Sequence, residues 1–159
     1  MIFVTLGSQK FQFNRLLIEV DRLIEDGKIT EEVFAQTGYS DYKPKNYKYK
    51  EFLDRDEFLD IMIKCNKVIT HGGTGAIIGA VKQHKKVIAV PRLKKFNEHV
   101  DDHQLQIVNE FDKLNFIRSV INIDELDKIL NVVETINLDQ YVSNTEKIIK
   151  SIDDFIYLL

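Results

Sequence analysis

Cysteine is almost missing from this chain: Cys65 is the only one in 159 residues. No disulfide can close within it, and a reducing compartment such as the cytoplasm is the expected setting. A dominant charge sign is missing too. Lysine and arginine number 22 against 25 acidic residues, a formal net charge of −3, without the basic excess that marks a nucleic-acid binder. No apolar run in the sequence approaches the length needed to cross a bilayer. The amino-terminal MIFVTLGSQKF has no basic stretch leading into a long apolar segment, so no secretory signal is expected. Internal repeats and low-complexity tracts are missing as well. What remains, 44% hydrophobic and 30% charged residues, is the composition of a globular domain able to bury its own core without staples.

Short apolar runs alternate with helix-periodic segments. Residues 2–6 predict a strand ending at Gly7-Ser8; Leu16, Leu17, Val20, Leu23 and Ile24 predict a helix closed by Gly27. Further strands are expected at 33–37, near 47–52, and at 67–70, 87–90 and 116–120. Helices are expected around 58–63, from the glycine turn to 83, and over 98–111, 124–133 and 144–159. Apolar strands without alternation, separated by helices, imply a Rossmann-like α/β fold: a parallel sheet with helices on both faces. Such a sheet binds ligands beyond the carboxyl ends of its strands. Gly7-Ser8, residues 36–38, residues 71–75 and Pro91-Arg92 all fall on that rim.

The most informative stretch is VITHGGTGAIIGAVKQ, residues 68–83, where a strand runs through three glycines into a helix. A helix N-terminus presents unpaired N–H groups and the positive end of a dipole, which together favour an anion. Glycines would let a phosphate reach those amides, with Thr74 adding a hydroxyl. The turn does not follow the first strand, as a dinucleotide fingerprint would, and lacks the Lys-Ser/Thr of a Walker loop. The plainer alternative is a tight turn whose glycines serve helix–sheet packing.

Three ordered blocks, FVTLGSQKFQFNRLL, ITHGGTGAIIGAV and VPRLKKFNEHVDDHQLQI, resemble the glycosyltransferase family 28 C-terminal domain. Within it they are most similar to small bacterial exopolysaccharide and capsule glycosyltransferase subunits. They are more distantly similar to the catalytic subunit of the eukaryotic UDP-N-acetylglucosamine transferase of N-glycan synthesis. The resemblance implies the C-terminal, donor-binding half of a GT-B enzyme, over residues 1–143. It implies a UDP-sugar donor, no cofactor, a polyprenyl-diphosphate-linked acceptor, and a membrane-anchored partner subunit that binds this acceptor at the inner membrane face. The product would be a hexose or N-acetylhexosamine added to a lipid-linked saccharide. By the same resemblance, Gly7 and Ser8 face the diphosphate and the partner, and Gln36 and Gly38 line the uracil side. His71, Gly72, Gly73, Thr74 and Gly75 cradle the phosphates. Asp102 and Gln104 contact the donor sugar, with Glu98 and His99 nearby and Arg92 on the rim. Gly79 stands where many relatives carry an acidic residue for the ribose; either Glu98 takes that role or the backbone alone holds the ribose.

Other motifs have other readings. Asp54-Arg55-Asp56 spells a metal-holding Asp-x-Asp, but Asp54 with Glu57 three residues on is a capping box, so a helix start is expected. His99 and His103 stand at i, i+4, a zinc spacing on a helix, without the glutamate of HExxH or a third ligand; no metal is expected. Cys65 is expected in the core. Lys82, Lys85, Lys86, Arg92, Lys94 and Lys95 form a run of cations without an acid between them, either a solvated face or an attractor for an anionic membrane or acceptor diphosphate. The general base is expected from the partner, with His99 the only candidate within the chain. In residues 144–159, Ile148, Ile149, Ile152, Phe155, Ile156 and Leu159 make an amphipathic stripe expected to dock on the partner. Two rival readings are a non-catalytic nucleotide-sugar-binding regulatory subunit and a receiver- or flavodoxin-like signalling module.

Overall fold

The computed structural model describes residues 1–158, in which strands and helices alternate. In chain order they are β1 (Ile2–Thr5), α1 (Asn14–Glu25), β2 (Val33–Gln36), β3 (Lys48–Lys50), α2 (Arg55–Lys64), β4 (Lys67–His71) and α3 (Thr74–Lys82), followed by β5 (Lys86–Val90), α4 (His103–Lys113), β6 (Arg118–Ser119), α5 (Leu126–Thr135) and α6 (Thr145–Tyr157). Single 3-10 turns lie at Lys94–Phe96 and Ile123–Glu125. The strands form one parallel sheet in the order β3-β2-β1-β4-β5-β6.

Period-two alternation along the buried strands feeds two cores. Ile2 and Val4 of β1 join a cluster with Leu16, Leu17, Val20 and Leu23 of α1 and Leu126, Leu130 and Val133 of α5. Phe3, between them, joins Met62, Ile77, Ala80, Val81 and Val108 of α2, α3 and α4 on the other face. Both faces are covered, which is why the central strands read as unbroken apolar runs. Cys65, just past α2, is fully buried in the second core. At one edge β3 is exposed throughout and carries Lys48 and Lys50, charges that oppose pairing with another sheet.

The helix starts separate chemistry from capping. Asp54 Oδ1 accepts from Glu57 N at 2.9 Å while Glu57 Oε2 accepts from Asp54 N at 3.0 Å. The Asp-x-Asp is therefore a reciprocal cap on α2. The helix expected from 98 begins only at His103. Asn97 at φ +55° ends the preceding turn in the left-handed region, and Asp102 Oδ1 accepts from Lys94 N at 2.8 Å, closing a loop where the apolar spacing suggested helix. The run of six cations is also broken up. Lys85 Nζ donates to the Cys65 carbonyl at 2.8 Å and Lys86 Nζ to the Glu134 carbonyl at 2.7 Å, at the start of β5. Lys94 and Lys95 lie past its far end, about 16 Å of strand away, and Arg92 between them is only 1% exposed.

All of α6 is exposed, including Ile148, Ile149, Ile152, Phe155 and Ile156; Leu159, the last position of its expected stripe, lies outside the described residues. Among the described residues no helix is long and apolar enough to cross a membrane.

Candidate functional site

The chain runs from β1 to β2 on one side and later places β4 on the other, so the strand order reverses between β1 and β4. Their carboxyl ends are in register, Thr5 opposite Thr70, and the loops leaving them splay apart into a crevice at this switch point. A cavity of about 340 Å³ lies there, lined by Gly7, Ser8, Gln9, His71, Gly73, Thr74, Gly75, Ala76, His103, Gln104 and Ile107. Seven of these lining residues, Gly7, Ser8, His71, Gly73, Thr74, Gly75 and Gln104, are expected site residues.

The floor of the cavity is the start of α3. Gly73 occupies its N-cap position and no side chain caps it, so the N–H groups of Thr74, Gly75 and Ala76 have no intrahelical acceptors. All three residues line the cavity. Together with the dipole they make a donor surface suited to an anion.

Two of the glycines serve the fold first. A Cβ on Gly73 would stand 2.2 Å from His71 Nε2, and one on Gly7, at φ +72°, would stand 2.7 Å from His71 Cε1. The bare backbone therefore makes room for the imidazole between the two loops. A Cβ on Gly75, by contrast, would meet nothing within 4 Å, and this residue lines the cavity.

His71 is 7% exposed. The hydroxyl of Thr70 donates to the Thr5 carbonyl at 2.9 Å, so toward His71 Nδ1, at 3.4 Å, it can only accept. That places the proton on Nδ1 and leaves Nε2 a bare acceptor. Burial, then the nearby Arg92 charge and the neighbouring His99, push the His71 pKa down to about 4. A histidine neutral in the fold but titrating near 6.5 when unfolded binds more protons in the unfolded state between these values. Stability should therefore be full above pH 6.5 and fall as pH drops toward 4, by up to about 3 kcal/mol. Urea midpoints measured across that range should show the decline, and His71→Asn should flatten it.

Gln104, 2% exposed, is a strut: its Oε1 accepts from Gly72 N and from Arg92 N, each at 3.0 Å. Two N–H donors on one atom settle the amide orientation and leave Nε2 as the donor available to a ligand. Arg92 is buried behind the site. Its Nη2 donates to the carbonyls of Leu6 (2.8 Å) and Phe11 (3.3 Å), tying the Gly7-Ser8 loop to the end of β5. Burial lowers its pKa to about 10, and its Nε and Nη1 have no partner among the described residues. Expected on the open rim, it is a cation held under the site.

Several expected site residues do not line the cavity. Gln36 bonds to the Gly7 carbonyl (3.4 Å) and accepts from Leu53 N (3.2 Å), and Gly38, at φ +56°, lies against Gly7 O. These two brace the β1 loop; beside them the exposed rings of Tyr39 and Phe52 pack edge to face at 5.2 Å. Glu98 is turned away toward α1: its carboxylate takes Arg15 at 2.9 and 3.0 Å and Leu93 N at 3.0 Å. Asp102 holds Lys94 N, and His99 packs on Phe11 with centroids 4.4 Å apart. Missed from the sequence were Gln9, Ala76, His103 and Ile107. Ile107 stands at i+3 from Gln104, a helical spacing that points it at the same cavity.

A family model described as glycosyltransferase family 28 C-terminal domain matches residues 1–157. No curated protein sequence matches the chain. Among solved structures the chain is similar to the glycotransferase of kitacinnamycin, at 14% identity over 85% of this chain and 35% of that one, with a TM-score of 0.64. It is similar to MurG of Acinetobacter baumannii, at 14% identity over 84% of this chain and 41% of that one, with a TM-score of 0.59. The solution structure of ALG13 is matched at 19% identity over 89% of each chain, with a TM-score of 0.57. The chain thus spans well under half the length of the first two and most of the third.

Proposed function

The chain belongs to the glycosyltransferase family 28 C-terminal domain, and from that premise we propose that it is the donor-binding catalytic subunit of a two-chain, inverting UDP-sugar transferase. The observation that carries the reading is the cavity at the β1–β4 switch point, where three uncapped amides and Thr74 face the loop of Gly7 and Ser8. In this reading the diphosphate lies on the start of α3, and its leaving charge is stabilised by amides and dipole. The base reaches toward Gln36, Gly38 and the Tyr39–Phe52 pair, whose exposed faces suit stacking. The sugar lies toward Gln104 Nε2.

The acceptor half belongs to a second chain. Supporting this, the three ordered blocks FVTLGSQKFQFNRLL, ITHGGTGAIIGAV and VPRLKKFNEHVDDHQLQI resemble those of separate donor-binding subunits. His71 is buried and His99 Nδ1 lies against Asp101, so the base that deprotonates the acceptor comes from the partner. The acceptor is a polyprenyl-diphosphate-linked saccharide of exopolysaccharide or capsule synthesis, and the complex sits at the cytoplasmic membrane face through that partner. The apolar stripe of α6, exposed along its length, is the docking element, worth ~1.5–3 kcal/mol for each large side chain it buries, before ordering costs.

Calorimetric titration with UDP tests the site: saturable binding of one UDP per chain is expected, and no binding would end the reading. Deleting residues 144–159 should leave a folded chain with unchanged UDP affinity that no longer co-purifies with the partner. An unfolded truncation would show instead that the tail belongs to the core.

A further inference from the structure

We infer that His99, Asp101 and His103 form a binding site for a first-row divalent metal ion of the zinc class, beside the glycine-turn cavity. The inference is independent of the proposed function and departs from the expectation of no metal. One ligand atom from each residue lies within 4.8 Å of the others. His99 Nδ1 is 3.2 Å from Asp101 Oδ1, and His103 Nδ1 contacts the same oxygen. The two imidazoles stand edge to face, centroids 4.6 Å apart.

The backbone explains why the third ligand escapes a reading of the sequence. On a continuous helix Asp101, two residues from either histidine, would point to the opposite side. Residues 98–102 are not helical, and α4 begins at His103 itself. The loop folds Asp101 back between the two rings.

Three polar atoms crowd one oxygen of this carboxylate: Asp101 Oδ1 faces both imidazole Nδ1 atoms and accepts from His103 N at 3.1 Å. His99 Nδ1 accepts from Asp101 N at 3.4 Å, so its lone pair is turned into the loop. A metal ion there would take a lone pair from each ring and the charge of Asp101, and the His103 N–H would keep its acceptor. Two imidazoles and one carboxylate suit zinc-like ions, whereas magnesium and calcium take oxygen-rich sets. Three protein ligands leave one position for water or an anion.

The site is held and open. The His99 side chain is 7% exposed and wedged on Phe11, while those of Asp101 and His103 are 57% and 47% exposed, giving a fixed ligand and an entry path. His103 and Gln104 line the cavity, so a bound ion ties the loop at 98–102 to the cavity wall.

Cobalt(II), a visible stand-in for zinc, tests the inference on the full chain. One cobalt per chain should bind with visible ligand-field absorption and be displaced by zinc. Asp101→Asn and His103→Ala, both at exposed positions, should each weaken binding by about tenfold or more. His84→Ala, beside the start of β5, should leave it unchanged. Absence of the absorption, unchanged affinity in both site variants, or loss in His84→Ala would overturn the inference.

Discussion

Gly75→Asp should cut UDP affinity by about 100-fold while leaving the fold as stable as before, or slightly more so. The two effects separate because of where this glycine sits. A Cβ there meets nothing within 4 Å, and the residue lines the cavity at the second position of α3. Aspartate is better than glycine in a helix by only about 0.2 kcal/mol, and an acid in the first turn gains a further ~0.3–1 kcal/mol from the dipole. The same carboxylate occupies the place offered to an anion. Two unit charges about 5 Å apart repel by roughly 3 kcal/mol at an effective dielectric of 20, which is the 100-fold. Gly73→Val is a weaker test, because its side chain would first collide with the His71 ring and disturb the fold. Paired thermal melts and UDP titrations of Gly75→Asp decide the matter. Unchanged affinity in a stable variant would remove the diphosphate from the start of α3.

Glu98→Ala should destabilise the protein by about 3 kcal/mol and change UDP affinity little. Glu98 is 1% exposed and holds Arg15 with both oxygens, at 2.9 and 3.0 Å. It also caps Leu93 N. Its removal leaves a mostly covered guanidinium without its charge partner and a buried N–H without an acceptor, the situation in which breaking a buried pair costs ~3–5 kcal/mol. Arg15 is 16% exposed, so the lower end of that range applies. For a domain of this size the melting temperature should fall by about 6–12 °C. The ribose-binding role suggested by Gly79 makes the opposite forecast, an intact melting temperature with lost UDP affinity, and that outcome would return Glu98 to the site.

The distribution of apolar residues along the chain was enough to determine the α/β class, the parallel sheet, the helices on both faces and the rim formed by the carboxyl ends of its strands. Strand and helix periods are local properties, and a sheet covered on both sides leaves uninterrupted apolar strands that need no tertiary knowledge to recognise. Asp54 and Glu57 likewise announced their cap, because both partners lie within one turn of chain. The glycine turn was visible too, but its meaning was divided: the sequence shows that a bare backbone is needed and not what approaches it. Only packing revealed that Gly7 and Gly73 make room for His71, and that of these three cavity-lining glycines only Gly75 has open space where a Cβ would stand.

What tertiary structure decided was the fate of the charged and polar side chains. Arg92 and Glu98 read as rim residues, yet each is 1% exposed, since their partners, Leu6, Phe11 and Arg15, lie more than eighty residues away in sequence. The cations from Lys82 to Lys95 look like one patch in the chain, but β5 passes between them and carries them to opposite ends of the sheet. Asp101 joins two histidines only because the segment before α4 abandons helical geometry. Hydrophobic burial follows a period that the sequence displays directly, whereas hydrogen bonds and ion pairs are satisfied by whichever partner the fold delivers. The first could be read from residues 1–159 alone; the second had to be seen.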